Sequence, residues 1–294
     1  MRLIALAVAL GLFAASPAGA QAIPQAVVAD PAPDAKHPAR MEVIHVPSGG
    51  VKINGVVYVA SGPGPHPTLV LFHGLPGNEK NLDLAQAVRR AGWNAVTINY
   101  RGSWGSPGAF SFAQNLGDAD AVLAFIRDPA NAKRLNIDPG RIAIGGHSMG
   151  GWVAAETLSH DPALLGGVII SPGDIGAFGL SGRKNPAAIV AFMEDNREAL
   201  AGVTAQSMAD EVIANADAWS FATLAPRLAH KRLLVLYSDD FVAASDIALI
   251  AGIRAAGGDL LQSGHEPTDH SWSDHRIALE ARVITWLQGL PAAP

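Results

Sequence analysis

The chain has 294 residues, of which 49% are hydrophobic and 16% charged, with a formal net charge of -5. That length and apolar content suit one large domain with a sizeable core and exclude a disordered chain, while the mild acidity leaves no basic footprint for nucleic acid. Cysteine is absent, which excludes disulfides and cysteine-based lipid anchoring.

Residues 1–20, MRLIALAVALGLFAASPAGA, read as a cleavable signal peptide. Arg2 supplies the basic start, Leu3 to Ala15 the apolar stretch, and Ala18-Gly19-Ala20 the small-x-small site, with cleavage after Ala20. The apolar run is too short to span a bilayer comfortably, so a periplasmic or extracellular protein without stable membrane insertion is expected. Residues 21–40 carry Pro24, Pro31, Pro33 and Pro38 and read as a flexible linker, leaving 41–294 as the folded domain.

MEVIHV and VKINGVVYVA follow as two strands joined by the turn Pro47-Ser48-Gly49-Gly50. From Pro67 strands and helices alternate. PTLVLF is a continuous apolar run suited to a strand buried on both faces; a helix over about 79–91 and the strand WNAVTINY come next. LGDADAVLAFIRD has helical spacing, RIAIGG is a strand, and GWVAAETLSH a helix. GGVIIS, RLLVLYS and DLLQSG complete the strands, and a last helix places Leu279, Val283, Trp286 and Leu287 on one stripe. This alternation implies an α/β fold: a mostly parallel sheet covered by helices on both faces. Two helical stretches between about 175 and 215 exceed what one crossover needs and read as a small helical cap inserted before the strand RLLVLYS.

GGHSMGG, residues 145–151, lies between a strand and a helix, the context required of a nucleophile on a strand-to-helix elbow. Ser148 is the nucleophile in this reading. Gly146 and Gly150 remove side chains that would clash, and Gly151 lets the helix pack close. A Gly-rich nucleotide-binding turn is the alternative, but no Gly-x-Gly-x-x-Gly follows the first parallel strand. Acyl transfer also needs donors aimed at the developing oxyanion. The backbone N–H groups of Met149 and of Leu75, in FHGLPGN after the strand PTLVLF, are the two expected. His73 in that loop and His147 beside Ser148 read as structural supports.

On these residues the chain resembles the α/β-hydrolases over about residues 41–290. In that family the order is serine, acid, histidine. The resemblance places the acid after RLLVLYS, where Asp239 and Asp240 both qualify; Asp240, preceding Phe241-Val242, is preferred, with Asp174 in SPGD as an outside alternative or a helix cap. It places the base at His270 in Asp269-His270-Ser271-Trp272, ahead of His265 and His275. The same histidines with Glu266, Asp269 and Asp274 permit a metal reading, which their spacing of five does not favour. Arg101, in INYRGSWGSPG, reads as a loop anchor, or else as a grip for a substrate carboxylate.

The resemblance implies a secreted serine hydrolase of carboxylic esters acting on a small ester or acyl substrate, with no cofactor and no metal. A serine peptidase, a cutinase-like polyester hydrolase and a non-catalytic binding module remain as alternatives. Glu194-Asp195 and Glu198 are where a peptidase would hold an α-amino group, and Phe178, Phe192 and Met193 would form either an acyl pocket or cap core. The sequence sets no oligomeric state.

Overall fold

A computed structural model describes residues 23–291; the expected signal peptide lies outside them. The segment read as a flexible linker is, in its described part, docked. Gln25–Val28 (α1) form one helical turn, and Arg90 Nε donates to the Ala26 carbonyl at 2.5 Å.

Arg40–Ser48 (β1) and Val51–Val59 (β2) form a hairpin whose register pairs Ser48 with Val51. The expected four-residue turn is therefore two residues, Gly49 and Gly50, at φ 54° and 85°. Both dihedrals belong to the tight turns that match strand twist and that glycine adopts readily. His66–Phe72 (β3), Leu82–Arg90 (α2) and Asn94–Ile98 (β4) follow, then Phe112–Arg127 (α3), Pro129–Leu135 (α4), Ile137–His147 (β5) and Met149–His160 (α5). Gly167–Ile170 (β6) leads into Ile175–Lys184 (α6), Pro186–Asp195 (α7), Ala205–Ala214 (α8) and Phe221–Leu228 (α9). Leu233–Ser238 (β7), Ala243–Ala255 (α10), Leu261–Glu266 (β8) and Arg276–Gln288 (α11) close the chain.

The eight strands lie in the order β1-β2-β4-β3-β5-β6-β7-β8, and every pairing from β4 to β8 is parallel. β3 is buried at each position, polar His66 and Thr68 included, and its apolar run from Leu69 to Phe72 suits a strand covered twice. Its side chains alternate: Leu69 and Leu71 pack with Leu84 and Val88 of α2 and Val283 of α11, whereas Val70 and Phe72 pack with Val122 of α3 and Trp152 of α5. Among the described residues no helix is long and apolar enough to cross a membrane.

The cap departs from expectation. Three helices, not two, occupy 175–215, because α6 forms despite three glycines. A Cβ on Gly176 would lie 2.3 Å from Ser220 N, on Gly179 2.1 Å from Val212 O, and on Gly182 2.7 Å from Ile213 Cγ1. The glycines thus lower helix propensity but let α6 approach α8 at Gly179 and Gly182, and the 216–220 segment at Gly176, so tertiary packing wins.

Two attachments hold the cap to the sheet domain. Ala201 N donates to Gly102 O at 2.7 Å and Phe110 N to Ala201 O at 2.9 Å. On α8, Glu211 Oε1 accepts from Ser111 Oγ at 2.6 Å and from Ala113 N at 2.9 Å, and Oε2 accepts from Phe112 N at 3.2 Å. A cap carboxylate therefore satisfies orphan donors at the N-terminus of α3, where negative charge is favoured.

Candidate active site

Between the end of β5 and the start of α5 one residue, Ser148, turns the chain at φ 56°, ψ -124°. A side chain is disfavoured at such φ, so its surroundings must hold it there. Ser148 N donates to Ile170 O at 3.0 Å, and its carbonyl accepts from Gly151 N and Gly173 N, each at 2.9 Å. The flanking glycines are obligatory: a Cβ on Gly146 would lie 2.1 Å from Gly150 O, and one on Gly150 2.1 Å from Phe72 O.

The FHGLPGN loop lies against this elbow, for a Cβ on Gly74 would come 2.9 Å from Ser148 Cβ. His73 supports the loop: its Nδ1 donates to Gly74 O at 2.8 Å and its ring meets Tyr100 edge-on. Burial drives the His73 imidazole down to about 4, so it is neutral near pH 7. His147 packs behind the elbow, donating from Nε2 to His270 O at 2.7 Å, and burial, followed by repulsion from His270, lowers it to about 3. Both histidines thus hold the structural places read from the sequence.

The strand ends bring the acid and base candidates together. His270 Nδ1 lies 2.7 Å from Asp240 Oδ2. Asp240 also accepts from Val242 N and from Ser238 Oγ, each at 2.9 Å. Burial alone would raise the Asp240 carboxyl, but the hydrogen bonds from His270, Ser238 and Val242 outweigh it and hold the group below its usual range. Asp239 instead pairs with His265 Nε2 at 2.7 Å on the exposed surface. Asp174 caps α6, accepting from Ala177 N at 2.8 Å, and also takes the Phe221 N–H. His275 pairs with Asp274 and Glu266. Among the described residues no group of three or more side chains is arranged to hold a metal ion.

Ser148, His270, Leu75 and Met149 border one cavity of about 210 Å³, and Asp240 stands behind His270. The remaining wall is apolar: Phe112, Ile175, Phe178, Phe192, Met193, Val212 and Phe241, with Asn196 the further polar side chain. Phe178 and Phe192, weighed between acyl pocket and cap core, stack at 5.4 Å and face the cavity. Phe112, Val212, Asn196 and Phe241 were not anticipated; they come from four separate segments that no local motif connects. Arg101 is outside the lining. Its Nε donates to buried Asp118 at 2.7 Å and its Nη2 to Gln114 O at 2.9 Å, which makes it the loop anchor. Glu194, offered for binding an amino group, is engaged by Arg197, and neither Asp195 nor Glu198 borders the cavity.

A parallel sheet with a serine on the turn after a central strand, and an aspartate–histidine pair on the turns after two later strands, defines the α/β-hydrolase architecture. The sequence matches the profile of the alpha/beta hydrolase family over residues 69–289, and the chain belongs to that family. A search of curated proteins found no match. Among solved structures it is similar to an acylaminoacyl peptidase from Pyrococcus horikoshii, at TM-score 0.66 and 15% identity over 86% of this chain, while spanning 42% of the peptidase. It is also similar to a hyperthermophilic esterase from the archaeon Pyrobaculum calidifontis, at TM-score 0.60 and 18% identity, covering 86% and 87% of the two chains. A thermostable carboxylesterase cloned from a metagenomic library matches at TM-score 0.62 and 19% identity, covering 91% and 93%. At these identities the likeness is one of fold.

Proposed function

We propose that the protein is a secreted serine hydrolase of carboxylic esters, freed from its leader after Ala20 and acting in the periplasm or outside the cell. The observation that carries the ester reading is the wall around Ser148, which is apolar and has no carboxylate facing it. An aminopeptidase must neutralise the α-ammonium of its substrate, and a buried ammonium without a partner is costly. A polyester hydrolase would need room for a polymer at the serine, whereas here α6, α7 and α8 all contribute side chains to the cavity wall.

In this reading His270 takes the Ser148 hydroxyl proton as Oγ attacks the ester carbonyl. Asp240 orients the imidazole through Nδ1 and stabilises its charged form. The Leu75 and Met149 N–H groups receive the oxyanion. His270 returns the proton to the departing alcohol, and then activates the water that releases the acid from Ser148. The chemistry closes without a cofactor.

The test pairs a fluorophosphonate probe with a substrate panel of p-nitrophenyl esters and aminoacyl-p-nitroanilides. Wild type should label and Ser148→Ala should not, and the esters should turn over while the anilides do not. Equal labelling of the two proteins would remove Ser148 from its role; turnover of the anilides alone would establish the peptidase reading instead.

A further inference from the structure

The wall of the cavity at Ser148 is unevenly exposed. His270 stands beside Phe241, a residue 66% exposed whose ring lies 4.7 Å from the imidazole. Phe112 and Val212 are fully buried, with Met193 and Ile175 nearly so. The alcohol departs on the His270 side, because His270 protonates it, and that side carries the exposed Phe241. The fully buried stretch of wall is the closed end left for the acyl group. We propose that this closed end takes an uncharged apolar acyl group of about six carbons, or a single aromatic ring, and rejects longer chains.

Size and attachment set the limit. A cavity of about 150 Å³ holds benzene, so about 210 Å³ in all, shared with the space at Ser148 and His270, leaves room for one ring or a chain of similar size. The wall is tied to the sheet domain: Glu211 joins α8 to α3, and Ala201 joins the 199–201 segment to Gly102 and Phe110. An anionic acyl group would meet no cation in the lining.

This inference rests on the ester-hydrolase reading, and the test separates the two. We would measure kcat/KM for p-nitrophenyl esters from C2 to C12 and for butanoate esters of alcohols from methyl to octyl. The acyl series should peak between C4 and C6 and fall at least tenfold by C10, while the alcohol series varies less than threefold. Val212→Ala, or Phe192→Ala should that variant fold poorly, should move the acyl optimum upward by about two carbons. A rate rising through C12, or a steep alcohol series with a flat acyl series, would overturn the assignment. Failure of the wild type to label with fluorophosphonate would instead sink the underlying reading.

A second inference stands on different atoms. Trp272 Nε1 lies 3.1 Å from Ser171 Oγ, Ser171 Oγ 2.9 Å from Ser238 Oγ, and Ser238 Oγ 2.9 Å from Asp240 Oδ2. Trp272, Ser171 and Ser238 are all fully buried. An indole N–H can only donate and an ionised carboxylate can only accept, so every proton in the chain points one way, toward Asp240. Ser171 and Trp272 hold φ of 40° and 58°, and with Ser148 they make three of the six described non-glycine residues with positive φ. Such backbone persists only where the surroundings over-determine it.

The geometry points to Ser238, Ser171 and Trp272 as positioning residues that fix Asp240 and temper its basicity. The oxygen that Ser238 holds is the same Oδ2 that faces His270. Removing the Ser238 hydroxyl should leave the carboxylate more basic and strengthen its hold on imidazolium, which moves the acid limb of the rate profile upward. His147 at the end of β5, Asp174 after β6, Asp246 on α10 and Arg276 on α11 are ionisable groups around the pair, with Asp239 and Asp269 next to it in the chain, and the substitution leaves all of them in place. In Ser238→Ala, kcat should fall about tenfold with KM within twofold, and the acid limb of kcat/KM should move up by about half a pH unit. Ser238→Thr should restore the limb, and Ser171→Ala should shift it less in the same direction. An unmoved limb in Ser238→Ala, or an equal shift in Ser238→Thr, would show that the hydroxyls only fill space.

Discussion

Two aspartate–histidine pairs stand side by side at the end of β7. Asp240 and His270 meet at 2.7 Å, and so do Asp239 and His265. The distances are equal, and the aspartates are adjacent in sequence. What differs is the surroundings. The Asp240 side chain is 3% exposed and its pair borders the cavity at Ser148, whereas the Asp239 side chain is 65% exposed and its pair faces solvent. An ion pair in water gains little, and without a nucleophile to serve it has no chemistry. A hydrogen-bonded carboxylate and imidazole therefore carry no functional meaning until burial and a third group are added.

The contrast can be broken first at the nucleophile. Ser148→Ala and His270→Ala should each lower kcat for a p-nitrophenyl ester by about 10⁴-fold or more, with the fold intact by circular dichroism. Asp240→Asn should cost about 10³-fold, because the amide cannot stabilise the imidazolium. A loss of that size in Asp239→Asn instead would reverse the assignment of the two pairs.

Burial near the active pair has a cost that stability measurements can read. Asp246, on α10, has neither carboxyl oxygen hydrogen-bonded, and burial, then repulsion from Asp240 and Asp174, raises it to about 9. Above its ordinary value of 3.8 the unfolded chain releases this proton while the folded protein keeps it. Folding stability from this group accordingly declines as pH rises from about 4 to about 9, and is unaffected below that window. Asp246→Asn should remove the slope and raise Tm at pH 8 by several degrees, with a smaller gain at pH 5. A Tm difference independent of pH would show that Asp246 is ionised in the folded state. The smallest effects belong to the exposed pair: Asp239→Asn and His265→Ala should each leave kcat/KM within twofold and Tm within about 1 °C.

The elbow was legible because its constraints are local: a serine at positive φ demands small neighbours within two residues, and the sequence shows them at Gly146 and Gly150. β3 was legible for a related reason, since a strand covered twice carries a continuous apolar run, here from Leu69 to Phe72. Asp240 could be preferred over Asp239 only through the Phe241-Val242 pattern of the family, and burial is what separates them physically. α6 escaped because Gly176, Gly179 and Gly182 oppose a helix locally, and their reason lies some thirty to forty-five residues on, in α8 and the segment after it. The Ser171–Ser238 contact joins residues 67 positions apart, and two ordinary serines give no sign of it. The cavity wall was hidden in the same way, its Phe112, Val212 and Phe241 lying far apart along the chain.

Glu211 has a consequence for engineering. Grafting a foreign cap between β6 and β7 would be an attractive way to change specificity, as though the insert were an interchangeable cassette. Yet the first turn of α3, in the sheet domain, is completed in part by that one cap carboxylate, which engages Ser111, Phe112 and Ala113. A replacement lacking an acidic residue at this point would leave the N–H of buried Phe112 without its partner. Any transplant must therefore carry its own acid to the same place, so the boundary of the exchangeable unit is drawn by a hydrogen bond and not by the sequence of the insertion.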